Sequence, residues 1–271
     1  MQIYRYLVDG LPYYGELVEP GVLARCLRKN KETFELKRAG HDDLLDEVTL
    51  LAPCVPSKLI CVGRNYADHA KELGNEAPEE RPLLFFKPPS SVIAHGEEVI
   101  TPVGCERLDF EGEITLVIGK RCSRVSEAEA FDYLLGVTAC NDITARDWQK
   151  RDKQWSLAKG CDTFAPLGPF IDTSSAEALR VAGEGEVKLE VTTRVNGEVR
   201  QQGDSHQLIF GLAKLISYIS HYFTLEAGDV IPTGTPAGVG PLVDGDHVSV
   251  ELNCGPVLKN VVRGAALEVV E

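Results

Sequence analysis

The run Phe110-Glu111-Gly112-Glu113-Ile114-Thr115-Leu116-Val117-Ile118 constrains the fold more than any other segment of this chain. The apolar run from Ile114 to Ile118 reads as a strand. Strand geometry sends residues two apart to the same side, so Glu111 and Glu113 project together, whereas on a helix they would diverge. Carboxylates this close repel unless a cation or a proton lies between them, which points to a hard divalent ion or a shared-proton pair. Two solvated acids on an edge strand are the plainer alternative.

Other segments have the same strand-rich character. Leu59 to Gly63 and Leu83 to Lys87 read as strands, and Val187 to Val195 alternates before Asn196-Gly197, a strong hairpin signal. Val248, Val250 and Leu252 alternate again. Helical expectations are fewer. Asn65 to Leu73 forms a short helix stopped by Gly74, Ser126 and Glu129 make a capping box for a helix to about Leu135, and Leu208 to Ile219 keeps helical spacing behind Asp204 or Ser205 as N-cap. Asn75 to Pro82 reads as a mobile loop. Prolines in Ala52-Pro53-Cys54-Val55-Pro56 mark a connector between a small N-terminal unit, 1–56, and a main domain, 57–271. Regular strand-helix alternation is absent, which excludes a doubly wound fold and indicates a β-rich α+β protein.

The formal net charge of -13 opposes nucleic acid and anionic membranes as partners, and no basic patch offsets it. No apolar stretch is long enough to cross a bilayer, and the first residues lack the apolar core of a signal peptide, so the expected location is cytoplasmic. The eight cysteines form no Cys-x-x-Cys pair and are expected to be reduced and mostly buried.

Several residues could carry chemistry. Asp142 follows an apolar stretch and stands at the end of a buried strand, as a third oxygen ligand or as an Asx turn or helix cap. His69 and Glu72, three apart on the short helix, could form a general base in which the carboxylate fixes the imidazole tautomer, or an ordinary surface pair. The turn Thr233-Gly234-Thr235-Pro236-Ala237-Gly238-Val239-Gly240 lacks the ending of a P-loop. It could bring hydroxyls close to a carboxylate or be a plain hairpin loop.

Taken in order, Val62-Gly63-Arg64-Asn65-Tyr66-Ala67-Asp68-His69, Leu84-Phe85-Phe86-Lys87-Pro88, Phe110-Glu111-Gly112-Glu113, Asn141-Asp142-Ile143-Thr144-Ala145-Arg146-Asp147, Ala158-Lys159-Gly160, Val195-Asn196-Gly197-Glu198 and Gly228-Asp229-Val230-Ile231-Pro232-Thr233-Gly234-Thr235-Pro236 resemble the fumarylacetoacetate hydrolase family. The likeness is to its acylpyruvase and 2-hydroxyhepta-2,4-diene-1,7-dioate isomerase-like branch. It implies a rolled, mostly antiparallel β fold of the fumarylacetoacetate hydrolase C-terminal type with peripheral helices, commonly a homodimer. It further implies that Glu111, Glu113 and Asp142 ligate Mg²⁺ or Mn²⁺, that His69 and Glu72 are the general-base dyad, and that Lys159 is the catalytic lysine. Arg64, Arg146, Gln149 and Thr235 become substrate contacts. Cys161 stands where the family usually has an aromatic residue, and substrate choice is expected in the 65–82 segment and around Cys161.

The activity expected from this likeness is hydrolysis of a carbon-carbon bond in an acylpyruvate-like β-diketo acid, a small anionic 2-oxo acid, through a pyruvate enolate. Isomerisation of a 2-hydroxymuconate-type diacid and decarboxylation of oxaloacetate pass through related enolates. A metal-binding protein without catalysis is the alternative of another class.

Overall fold

The computed structural model describes residues 1–74 and 76–264. Asn75, the first residue of the loop expected over 75–82, lies outside the described residues, as do 265–271.

The N-terminal residues make an antiparallel meander. β1 (Gln2–Val8), β2 (Leu11–Glu19), β3 (Val22–Arg28) and β4 (Leu36–Leu44) pair in sequence, and β5 (Thr49–Leu51) returns along β1. Asp43 on β4 accepts hydrogen bonds from Arg25 Nε at 2.8 Å and from the Tyr6 hydroxyl at 2.7 Å, tying three strands together.

The chain continues through β6 (Leu59–Gly63), α1 (Ala67–Glu72), β7 (Leu83–Lys87), β8 (Val92–Ile93), β9 (Glu98–Ile100), β10 (Leu108–Phe110), β11 (Gly112–Ile118), β12 (Leu134–Asn141) and β13 (Thr144–Ala145). After these come α2 (Arg146–Arg151), α3 (Ser156–Gly160), β14 (Ala165–Asp172), α4 (Thr173–Ala182), β15 (Glu190–Val195), β16 (Glu198–Asp204) and α5 (Leu212–Tyr222). The last strands are β17 (Val230–Pro232), β18 (Gly240–Leu242), β19 (His247–Leu252) and β20 (Val257–Arg263).

Three sheets result. A twelve-stranded sheet runs β4-β3-β2-β1-β14-β12-β11-β17-β6-β7, with β5 and β8 attached to β1 and β14. The pairing of β1 with β14 joins the meander to the rest. A five-stranded sheet, β16-β15-β19-β20-β9, and a three-stranded one, β13-β10-β18, complete the β-rich α+β fold. Pairing is mostly antiparallel, as expected.

In β11 the alternation is clean. Ile114, Leu116 and Ile118 enter one core with Leu215, Ile216 and Ile219 of α5 and Val191 and Val250 of the five-stranded sheet. Val117 faces a second core with Leu59, Cys61 and Cys140. Both faces being covered accounts for the uninterrupted apolar sequence, each buried Leu or Ile contributing roughly 1.5–3 kcal/mol.

Three expectations are corrected in detail. The capping box at Ser126 and Glu129 is present, but it opens a 3₁₀ turn, Glu127–Tyr133, and Leu134 is taken into buried β12 instead of closing an α-helix. Asp204 caps the turn Ser205–Gln207, while α5 begins after Gly211 and its Ala213 N–H is accepted by Glu184. The alternation from Val187 becomes a strand only at Glu190. Asn196 and Gly197, both at positive φ, make the expected hairpin turn between β15 and β16.

Candidate active site

Glu111 is not within a strand. It occupies the break where the chain leaves β10 in the three-stranded sheet and enters β11 in the twelve-stranded one. Asn141 Oδ1 accepts the Glu111 N–H at 2.9 Å, and the Asp142 N–H donates to the Glu111 carbonyl at 2.8 Å. The residue between the two glutamates has to be glycine, since a Cβ on Gly112 would stand 1.9 Å from Thr193 Oγ1 of β15. The backbone therefore holds Glu111 and Glu113 toward one place through a sheet junction.

Asp142 follows β12 and meets them. One carboxylate oxygen from each of Glu111, Glu113 and Asp142 lies within 4.8 Å of the others, and all three residues are buried. Burial and the Asp142 and Glu111 charges push the Glu113 carboxyl well above the usual carboxylate range. It receives a single N–H, from Gly234 at 2.8 Å. Three hard oxygen donors around crowded negative charge fit a divalent cation of the Mg²⁺, Mn²⁺ or Ca²⁺ kind.

Cations bracket this cluster. Lys159 on α3 donates to Glu111 Oε2 and Asp142 Oδ2, each at 2.7 Å, and its Nζ lies 4.9 Å from the Phe85 ring centroid. Arg146 at the start of α2 binds Asp109, Glu111 and Gln149. Burial alone would raise the Glu111 carboxyl, but Lys159 and Arg146 hold it well below the usual range. Burial alone would lower the Lys159 ammonium, which Asp142 and Glu111 raise instead. The second oxygen of Asp142 receives Lys87 Nζ, which also donates to the Ile143 carbonyl at 3.0 Å.

Helix α1 brings His69 to the same cavity as the carboxylates. His69 is buried and, chiefly for that reason, its imidazole is held below its ordinary pKa, so it is neutral at neutral pH. Its Nδ1 is 3.5 Å from Glu72 Oε2, beyond hydrogen-bond length, and has no hydrogen-bond partner. The Glu72 carboxylate instead accepts the Gly238 N–H at 3.1 Å. The expected dyad is thus adjacent but not engaged, a looseness usual for catalytic pairs before substrate binds. Asn65 anchors the root of the segment, donating to the Phe210 and Thr233 carbonyls and accepting the Phe210 N–H.

One cavity of about 210 Å³ lies among these groups. It is smaller than the roughly 300–1,000 Å³ of drug-sized sites, so it suits a small substrate. Every residue expected at the site except Glu72 lines it: His69, Lys159, Arg64, Arg146, Gln149, Thr235, Glu111, Glu113 and Asp142. Two of them already make several hydrogen bonds. Each of the three Arg146 guanidinium nitrogens donates to an acceptor, and the Thr235 hydroxyl donates to the Gly112 carbonyl while accepting from Gln201. Cys161 is not in the wall. Its thiol donates to the Leu157 carbonyl, whereas Trp155, packed against Phe85 at 5.4 Å, lines the cavity.

Sequence reasoning missed Asp109, Asn141, Gln201 and Trp155, and gave Lys87 no role. A charged residue closing the apolar run Leu83-Leu84-Phe85-Phe86 was the one signal available for Lys87.

Comparison with known proteins follows the same lines. The Fumarylacetoacetate (FAA) hydrolase C-terminal family matches residues 58–263. The chain is 40% identical over 271 aligned residues to the oxaloacetate tautomerase YisK of Bacillus subtilis, covering 90% of this chain and 87% of that one. The crystal structure of 2-hydroxyhepta-2,4-diene-1,7-dioate isomerase from Mycobacterium marinum superposes with a TM-score of 0.84 at 35% identity, over 98% of this chain and 99% of that one. Fumarylpyruvate hydrolase from Pseudomonas aeruginosa, in complex with Mn²⁺ and pyruvate, gives a TM-score of 0.70 at 30% identity, over 84% and 94% of the two chains. With one family matching most of its length, and relatives of this identity along nearly all of it, the chain belongs to the fumarylacetoacetate hydrolase family.

Proposed function

We propose that this chain is a divalent-metal-dependent enzyme that makes the enolate of a small 2-oxo acid, with keto-enol tautomerisation of oxaloacetate as its reaction. The observation that carries this reading is the arrangement of buried Lys159, the three carboxylates and neutral His69 around one small cavity. The identity to an oxaloacetate tautomerase supports the choice of substrate.

Glu111, Glu113 and Asp142 would hold the cation, Mg²⁺ or Mn²⁺, which when bound supplies Lewis acidity to the 2-oxo acid head. His69 does the proton transfer. With its Nδ1 proton turned to Glu72, the lone pair is on Nε2, which takes a proton from C3 while the C2 oxygen takes one from water. Lys159 has three protons and uses two on Glu111 and Asp142, so one remains for the oxygen where charge develops. Burial keeps the imidazole unprotonated and therefore basic.

A second reading, hydrolysis of an acylpyruvate, is favoured by Glu72 standing 3.5 Å from His69, near enough to support activation of a water. One experiment separates the two. Mn²⁺-supplemented protein is given enolic oxaloacetate, followed by ultraviolet absorbance, and acetopyruvate, followed by NMR of products. Tautomerisation predicts fast loss of the enol signal and little acetate, with His69→Ala slower by about 10²- to 10⁴-fold. Acetate and pyruvate in equal amounts would establish the hydrolase instead, and full activity after complete chelation of metal would end both readings.

A further inference from the structure

Strand β16 lies at the edge of the five-stranded sheet, and of its seven residues Gln201 alone is buried. An apolar side chain would cost less there, so a buried amide needs partners that compensate for its lost water. A register shift in the pairing of β15 with β16 leaves Arg200 as an extra residue, the kind of bulge that re-aims a neighbouring side chain. Gln201 reaches out of its own sheet to Gly112 and Thr235, 89 and 34 positions away.

Its oxygen accepts the Gly112 N–H at 3.0 Å, and its nitrogen donates to the Thr235 hydroxyl and the Pro236 carbonyl, each at 2.7 Å. The Gly112 N–H can only donate and the Pro236 carbonyl can only accept, so the amide has one possible orientation. The Thr235 hydroxyl then sends its own proton to the Gly112 carbonyl at 2.9 Å. These bonds close a loop around Gly112, the residue between Glu111 and Glu113. β17 pairs with β11 over Thr115–Val117, and beyond that stretch two side chains take the Gly112 backbone groups that a strand would take.

Glycine is the residue least able to hold its own backbone in place, yet the spacing of two candidate metal ligands depends on this one. We propose that Gln201 is a positioning residue for the metal site: its amide holds the Gly112 backbone directly and through Thr235, so that Glu111 and Glu113 keep the separation a cation needs. This rests on the metal reading above and adds to it a residue that stands outside the cavity wall. Buried hydrogen bonds in a closed loop reinforce one another, and deleting one member leaves the others unpaired.

Mn²⁺ binding is measured by calorimetry, and the electron paramagnetic resonance spectrum of the bound ion is recorded, for the parent and for Gln201→Leu, Gln201→Glu, Thr235→Val and Asn260→Leu. Asn260 is a buried amide of the same sheet, bonded to the Ala94 and Glu97 carbonyls and absent from the cavity wall, and it reports the effect of lost stability alone. Gln201→Leu is expected to raise the Mn²⁺ Kd about 10- to 100-fold, the range typical of a residue behind a ligand, and to broaden the spectrum as the ligand geometry loosens. Gln201→Glu keeps an oxygen for the Gly112 N–H and recovers part of the affinity, while Asn260→Leu binds as the parent does. An unchanged Kd and spectrum in Gln201→Leu overturn the assignment, as does an equal loss in Asn260→Leu. Should Gln201→Leu fail to fold, Thr235→Val opens the loop from its other side, and parent-like binding there overturns the assignment by itself. A parent that binds no Mn²⁺ ends the metal reading, and this assignment falls with it.

Discussion

Two buried carboxylates in this protein, Asp229 and Glu113, have opposite surroundings. Asp229 receives the backbone N–H groups of Ser57, Lys58 and Glu226, the Ser57 hydroxyl and the Lys58 ammonium. Glu113 receives one backbone N–H and faces two further carboxylates. Asp229 is finished as a structural group, fastening the connector at 57–58 to the start of β17. Glu113 is left short of positive charge in a place water barely reaches. The contrast separates what holds the fold from what waits for a ligand better than burial does, since both residues are equally buried.

That contrast can be broken by substitution. Asp229→Ala strands a lysine and several N–H groups, and the expected loss is about 3–5 kcal/mol of unfolding free energy, read by urea denaturation. Turnover per folded molecule should stay at the parent's level. A loss below about 1 kcal/mol would mean that solvent takes over the donors and that Asp229 is not the fastening it resembles. Glu113→Gln should do the reverse. Stability of the metal-free protein stays within about 1 kcal/mol of the parent or rises, because a crowded charge is gone. Mn²⁺ affinity measured by calorimetry falls by more than the roughly 10- to 100-fold typical of altering a residue behind a ligand. Equal Mn²⁺ affinity in parent and variant would remove Glu113 from the ligand set.

The smallest effect sharpens the comparison at the surface. Asp43, paired with Arg25 and Tyr6, has its carboxyl held below the usual range, first by the Arg25 hydrogen bond. A depressed folded value means that its stabilisation is complete above the unfolded value near 3.9 and is lost as pH falls through the folded one. Asp43→Asn should therefore cost about 1 kcal/mol at pH 7, and the difference should shrink as the solution is acidified below pH 4. A difference that does not change with pH would show packing, not charge, to be its source.

What could be read from the sequence follows the range of the forces involved. Strand alternation in β19, the Asn196-Gly197 turn and the stop at Gly74 depend on near neighbours and are legible. The sheet change at Glu111 is not, because the demand for glycine at 112 comes from Thr193, far along the chain. The short helix after Ser126 shows local capping and tertiary burial in competition, with β12 claiming Leu134. Glu111, Glu113, Asp142 and His69 were picked out because several motifs stand in order, and the structure brings them to one cavity. Lys87, Asp109 and Gln201 were not, since each is a single residue whose partners at the site lie 34 or more positions away. Cys161 lies outside the wall, while the side chain that reaches the cavity, Trp155, comes from the turn before α3.

The break at Glu111 has a mechanical meaning. The chain passes between the three-stranded and twelve-stranded sheets at Glu111 and passes back at Asp142–Ile143, and these two crossings lie side by side, joined by the Asp142 N–H. Two of the three candidate ligands thus sit on the seam itself. A cation held there is a rivet through both sheets, so its departure would be felt as loosened hydrogen exchange at the Asp142 amide before any strand comes apart.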